Sequence, residues 1–82
     1  SEVEYLTKYT IQLGAFEDYN GAESMRYMLI SGGFNPTIEN SIINGNRLYI
    51  IREGEFSSKK SAEKIALRIR ARFGIETIIS EL

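Results

Sequence analysis

Apolar and polar residues alternate through Tyr9, Ile11 and Leu13 and again through Tyr49 and Ile51, the period of two that marks a strand buried on one face. After each run the period lengthens. Ala22, Met25 and Leu29 recur at helical spacing in the first half, and Ala62, Ile65, Ile69 and Phe73 do so in the second. Asp18 and Ser58 stand where N-caps belong, and both stripes stop near glycine, at Gly32 and Gly33 and at Gly74, as left-handed caps commonly do. A Gly-x-Phe corner closes the strand in each half, where Gly14 and Gly54 serve the turn into the helix. Pro36 falls in the strand that follows the first helix, which makes that strand an edge.

The two halves repeat each other. Ile11, Gly14, Phe16, Ala22, Glu23 and Leu29 match Ile51, Gly54, Phe56, Ala62, Glu63 and Ile69 at a constant offset of forty. With one further residue inserted, Gly33, Phe34 and Ile38 match Gly74, Ile75 and Ile79. Two copies are too few for a stacked solenoid, so the units close on each other as one pseudo-symmetric domain. Between them Asn44-Gly45 predicts a two-residue type I′ hairpin turn, which sets Ile43 opposite Asn46 and Ile38 opposite Ile51. The expected fold is α+β and ferredoxin-like, β-α-β-β-α-β, a four-stranded antiparallel sheet with both helices on one face. Residues 1–8 are expected to be a linker or N-terminal extension and 9–82 the domain; the opening without methionine suggests a piece of a longer protein.

If Tyr9, Ile11 and Leu13 point to the helices, Thr10 and Gln12 point away from them. The same alternation turns Leu48, Ile50 and Arg52 outward, with Thr37, Glu39, Ser41 and Ile43 beside them and Ile78 on the last strand. Aliphatic side chains grouped with an amide, a guanidinium and a carboxylate on an uncovered sheet mark a binding platform or a partner interface.

Composition narrows the chemistry. Eighty-two residues, 43% hydrophobic and 26% charged, describe one globular domain, and a net charge of −1 does not suit a chain built to coat nucleic acid. Cysteine and histidine are both absent, which removes disulfides and the commonest bases, nucleophiles and metal ligands. Catalysis, a metal and a cofactor are therefore not expected. No apolar run reaches the length of a membrane span, and no membrane contact by this segment itself is expected. The domain is expected to be a monomer.

YTIQLGAF followed by a helix with Ala22, then GGF, then NGNRLYIIREGEF followed by a helix with Ala62, then RFGIETII, resembles the sporulation-related repeat called the SPOR domain. The resemblance runs from Tyr9 to the end of the chain. It implies a bacterial envelope module, in periplasm or cell wall, that binds peptidoglycan glycan strands stripped of their stem peptides and directs its parent protein to the wall or the division septum. In that family the glycan lies on the open sheet face. Carried over by position, the resemblance gives Gln12 for the family glutamine and Ala15 for a serine. Leu48 and Ile50 stand where an aromatic and an arginine often occur, and Ile78 or its neighbour Ile79 where an apolar residue does. Thr10 and Arg52 share the face, and Arg52 could supply the cation. Glu53 stands where the family has an inward apolar residue, and Glu55 where it has proline.

Three other readings fit parts of the pattern. An RNA-binding module has the same strand order and would use the basic second helix, with Lys59, Lys60, Lys64, Arg68, Arg70 and Arg72. That fold reads RNA with aromatics on its central strands, where this chain has Thr10, Gln12, Leu48, Ile50 and Arg52. The basic helix is read instead as a solvated face, with some attraction to anionic wall polymer or lipid. Acylphosphatase-like chemistry would need an arginine-bearing anion loop after the first strand, where GAFEDYNG offers two acids. The remaining alternative is a protein-interaction module using the same exposed face, with Arg52 paired to Glu39 across the hairpin. Tyr5, Tyr19 and Tyr27 are read as packing residues.

Overall fold

The computed structural model describes residues 7–82. Tyr5 and most of the expected N-terminal extension lie outside the described residues. The elements are β1 (Tyr9–Phe16), α1 (Tyr19–Ser31), β2 (Thr37–Ile43), β3 (Asn46–Phe56), α2 (Lys59–Phe73) and β4 (Ile78–Glu81). The strands form one antiparallel sheet in the order β2-β3-β1-β4, so β-α-β-β-α-β is the observed arrangement.

The repeat is visible in the packing. Ile11 and Ile51, Ala22 and Ala62, and Leu29 and Ile69 are pairs at the same offset, and all six are fully buried in one cluster with Leu13 and Ala66. Because α1 supplies Ala22 and Leu29 and α2 supplies Ala62, Ala66 and Ile69, both helices lie on the Ile11/Ile51 side of the sheet. Burying each large aliphatic contributes about 1.5–3 kcal/mol. The alanines let the helices approach the two central strands closely.

Asn44 and Gly45 have φ of 53° and 81°, the pair of positive angles a type I′ turn requires, and Ile38 pairs with Ile51 as the turn dictates. β2 is an edge strand, and Pro36 sits immediately before it, where its missing N–H breaks no ladder bond. The helix ends differ in form. α1 closes through paired bonds from Gly33 N–H to the Ile30 carbonyl and from Phe34 N–H to the Leu29 carbonyl, with Gly33 rather than Gly32 at positive φ. α2 closes at Gly74, which is left-handed and donates to the Arg70 carbonyl.

Candidate functional site on the open sheet face

Pairing fixes what the uncovered face presents. One row crosses all four strands as Thr37, Arg52, Gln12 and Ile78; the next runs Glu39, Ile50 and Ala15, and a third holds Ser41 and Leu48. Gln12 therefore lies between a guanidinium and an exposed aliphatic side chain, Ile78 at 56% exposure. Among the described residues no helix packs on this side.

Simple alternation would put Gly14, not Ala15, beside Gln12. A bulge in β1 between Gln12 and Gly14 adds one residue, so that Gly14 pairs with Ile51 on the helix side and Ala15 pairs with Ile50 on the open side. The bulge is what brings Ala15 onto the face that Gln12 occupies. A second bulge, in β3, lies between the pairs Ile11–Glu53 and Tyr9–Phe56 and contains Gly54 at φ 76°. Glycine takes that angle without steric cost, and it leaves Glu55 directed to the open side.

The face is not uniformly accessible. Thr10 is 2% exposed, and its hydroxyl donates to the Gly54 carbonyl at 2.7 Å, with the Glu53 carbonyl at 3.3 Å. It ties β1 to the β3 bulge and has no donor left over, so Thr10 buttresses the face and borders its groove without a free hydroxyl hydrogen to offer a ligand. Ile50 is 4% exposed, flanked by Glu39 and Ala15 across the strands and by Leu48 and Arg52 along its own, and forms floor rather than a projecting contact. Gln12, Arg52 and Leu48 are partly exposed, while Ala15 and Ile78 are exposed.

Arg52 and Glu39 make the cross-hairpin pair that the protein-interaction reading expects, with Nε 2.9 Å from Oε2. The two groups are close without an aligned hydrogen bond from Nε–H, so the contact is charge proximity rather than a directed bond. It engages the Nε edge and leaves the terminal nitrogens of the fork for another acceptor. Beside the pair lies an open groove of about 550 Å³ whose walls include Thr37, Glu39, Arg52, Asn35 and Glu55. Asn35 and Glu55 were not among the residues expected here. Gly54 inside a strand was the available signal for Glu55, because an interior glycine often marks a bulge.

Glu53, on the helix side, accepts the Asn35 N–H at 3.0 Å. Burial pushes its carboxyl above the usual carboxylate value, and the Asn35 bond opposes the shift. At the far end of the sheet the Tyr19 hydroxyl donates to Glu23 at 2.6 Å, which raises the phenol's pKa, and the ring meets Tyr49 edge-on at 5.2 Å. Tyr19 thus packs against one ring while staying 46% exposed, and Tyr27, expected to pack, is instead 63% exposed on the outer side of α1. No cluster of three or more His, Cys, Asp or Glu able to hold a metal occurs among the described residues, and no helix there is long and apolar enough to cross a membrane.

Comparison with known proteins places the fold. The chain matches the SPOR domain family over residues 6–80. Among curated proteins none matches. Of solved structures, the peptidoglycan binding domain of the Bacillus subtilis cell wall lytic enzyme CwlC is similar at TM-score 0.73 and 29% identity, over 93% of this chain and 90% of that one. The SPOR domain of RlpA from Pseudomonas aeruginosa is similar at 0.73 and 23%, over 88% and 96%. A putative exported protein of Burkholderia pseudomallei gives 0.75 and 17%, over 93% of this chain but 16% of that one. With nearly its whole length matched, the chain belongs to the SPOR domain family.

Proposed function

We propose that this chain is a non-catalytic module that binds peptidoglycan through its open sheet face, favouring glycan strands stripped of stem peptides, and that it directs its parent protein to the cell wall or division septum of the bacterial envelope. The observation that carries the reading is the row Arg52, Gln12, Ile78 across an uncovered sheet in a SPOR domain. The peptidoglycan-binding function of the similar CwlC domain supports it.

The chemistry suits a sugar chain. The Gln12 amide offers donor and acceptor together for N-acetyl groups and hydroxyls. The C–H faces of the rings rest on Ile78, Leu48 and the edge of Ile50, with Ala15 leaving room for close approach. A lactyl group freed of its peptide ends in a carboxylate, which the free fork of Arg52 takes while Glu39 holds the other edge. An intact stem peptide has no such carboxylate at that point and meets the walls of the groove. An open platform of this kind binds at roughly micromolar strength, about −8 kcal/mol.

The test is retention on purified sacculi before and after amidase digestion, with an unrelated polysaccharide as control. The wild-type chain should be enriched on the digested wall. Replacing Gln12 and Arg52 together by alanine should weaken retention tenfold or more with the thermal transition preserved. Equal retention on all three materials, or full retention by the folded double variant, would favour the protein-interaction reading of the same face.

A further inference from the structure

The charges of this chain are sharply segregated. α2 carries six of its ten basic residues and one of its eleven acidic ones, leaving four basic and ten acidic residues elsewhere. Along that helix Lys60, Lys64, Arg68 and Arg72 recur every four residues, a line about 18 Å long on the exposed side. The buried stripe of Ala62, Ala66 and Ile69 faces the sheet, so the cations look away from it, on the side of the domain opposite Gln12.

These cations are not neutralised. Glu63, the one acid of the helix, leans to Arg70 at 3.8 Å, and among the described residues Lys60, Lys64 and Arg68 make no ion pair. Like charges four residues apart work against a helix, and here three such pairs follow one another. An apolar feature lies among them. Leu67 is 60% exposed, and with Phe56 and Ile65 it lines a groove of about 520 Å³ bordered by Lys64 and Arg68.

We propose that the outer face of α2 is a contact surface for an anionic lipid membrane. The cations meet headgroup phosphates and Leu67 enters the boundary with the acyl chains. The acidic remainder of the domain is repelled by the same surface, which turns the open sheet face away from the bilayer. A soluble phosphodiester polymer would use the cations but leave Leu67 and its groove without a role, and this is why a membrane is the better occupant. Among the described residues no helix is long and apolar enough to cross a membrane, but interfacial contact needs no span.

Flotation of the 82-residue chain with vesicles of phosphatidylcholine alone, or with an equal part of phosphatidylglycerol, tests the proposal. The wild-type chain should float with the anionic vesicles only and be released by high salt. The K64Q/R68Q variant should partition roughly 30-fold more weakly, about fivefold per cation. L67S should lose about fivefold. These positions are exposed, so each variant should keep the wild-type thermal transition, and sacculus retention should be unchanged in K64Q/R68Q. No preference for anionic vesicles would overturn the proposal. So would full vesicle binding by L67S combined with displacement of the wild type by soluble polyphosphate, which would mark a polyanion site instead.

Discussion

Leu13 and Glu53 occupy the same point of the repeat, and the two halves of the molecule treat that point differently. Leu13 is 4% exposed in the main core, whereas Glu53 is only partly buried and holds its carboxylate against the Asn35 N–H. Both central strands bulge nearby, β1 just after Gln12 and β3 just after Glu53. The core pairs Ile11/Ile51, Ala22/Ala62 and Leu29/Ile69 remain equivalent. The fully buried core pairs have kept the symmetry of the duplication, while the helix-side margin at Leu13 and Glu53 and the open face have not. Each bulge changes which residue of its strand looks outward, so two similar halves give a face that is amide and methyl on one central strand and guanidinium on the other.

The largest test of that contrast compares the glycines of the two corners. In both halves the phenylalanine two residues on folds over the glycine. A Cβ would stand 2.8 Å from the Phe16 ring at Gly14 and 2.6 Å from the Phe56 ring at Gly54. Only Gly54 has positive φ, 76°. Gly54→Ala should therefore cost about 2–3 kcal/mol, ring displacement plus left-handed strain, and lower Tm by about 10–20 °C. Gly14→Ala should cost about 1 kcal/mol, since a ring and the Met25 thioether can shift. Equal losses in thermal unfolding would mean that the ring contact alone sets the requirement for glycine.

A smaller difference is expected at the helix starts. Ser58 Oγ accepts the Ser61 N–H at 3.1 Å, while Asp18 occupies the same point of the first half without a side-chain cap bond. Ser58→Ala should cost about 1 kcal/mol. Asp18→Ala should cost about 0.3 kcal/mol, the loss of a charge near the helix dipole. Denaturant midpoints that move by the same amount in both variants would contradict the distinction.

These contrasts also mark where the sequence could and could not be read. Element order, the Asn44-Gly45 turn, the Ile38–Ile51 register, the edge position of β2 and the outward direction of Gln12 follow from local periodicity and turn chemistry, which a single chain displays. Accessibility on the face does not follow. Thr10 has the parity of a surface residue, yet it is buried because a β3 bulge forty-three residues away offers it two carbonyls. Ile50 likewise points outward but is enclosed by residues from neighbouring strands. Ala15 reached the face through likeness to a family pattern, and a bulge supplies the physical reason. Bulges depend on how two distant strands pair, and the interior glycines at 14 and 54 were their only local trace.

The smallest expected effect concerns Glu53 itself. Its folded-state pKa is raised by burial above the ordinary value of 4.5, so the native chain holds this proton over a range where the unfolded chain has released it. Whatever stability the site contributes is thus fully present below about the unfolded value and is lost as pH rises through the folded one. Glu53→Gln removes the titration and retains an oxygen for the Asn35 N–H. The other carboxylates are common to both proteins, so the difference in unfolding free energy between them isolates this group. Relative to E53Q, the wild type should lose stability as pH rises above the unfolded value of 4.5, until the folded carboxyl has ionised as well. A difference that stays flat with pH, or grows in the wild type's favour, would mean that the Asn35 hydrogen bond outweighs burial and that the polar residue opposite Leu13 in the repeat is no burden to the fold.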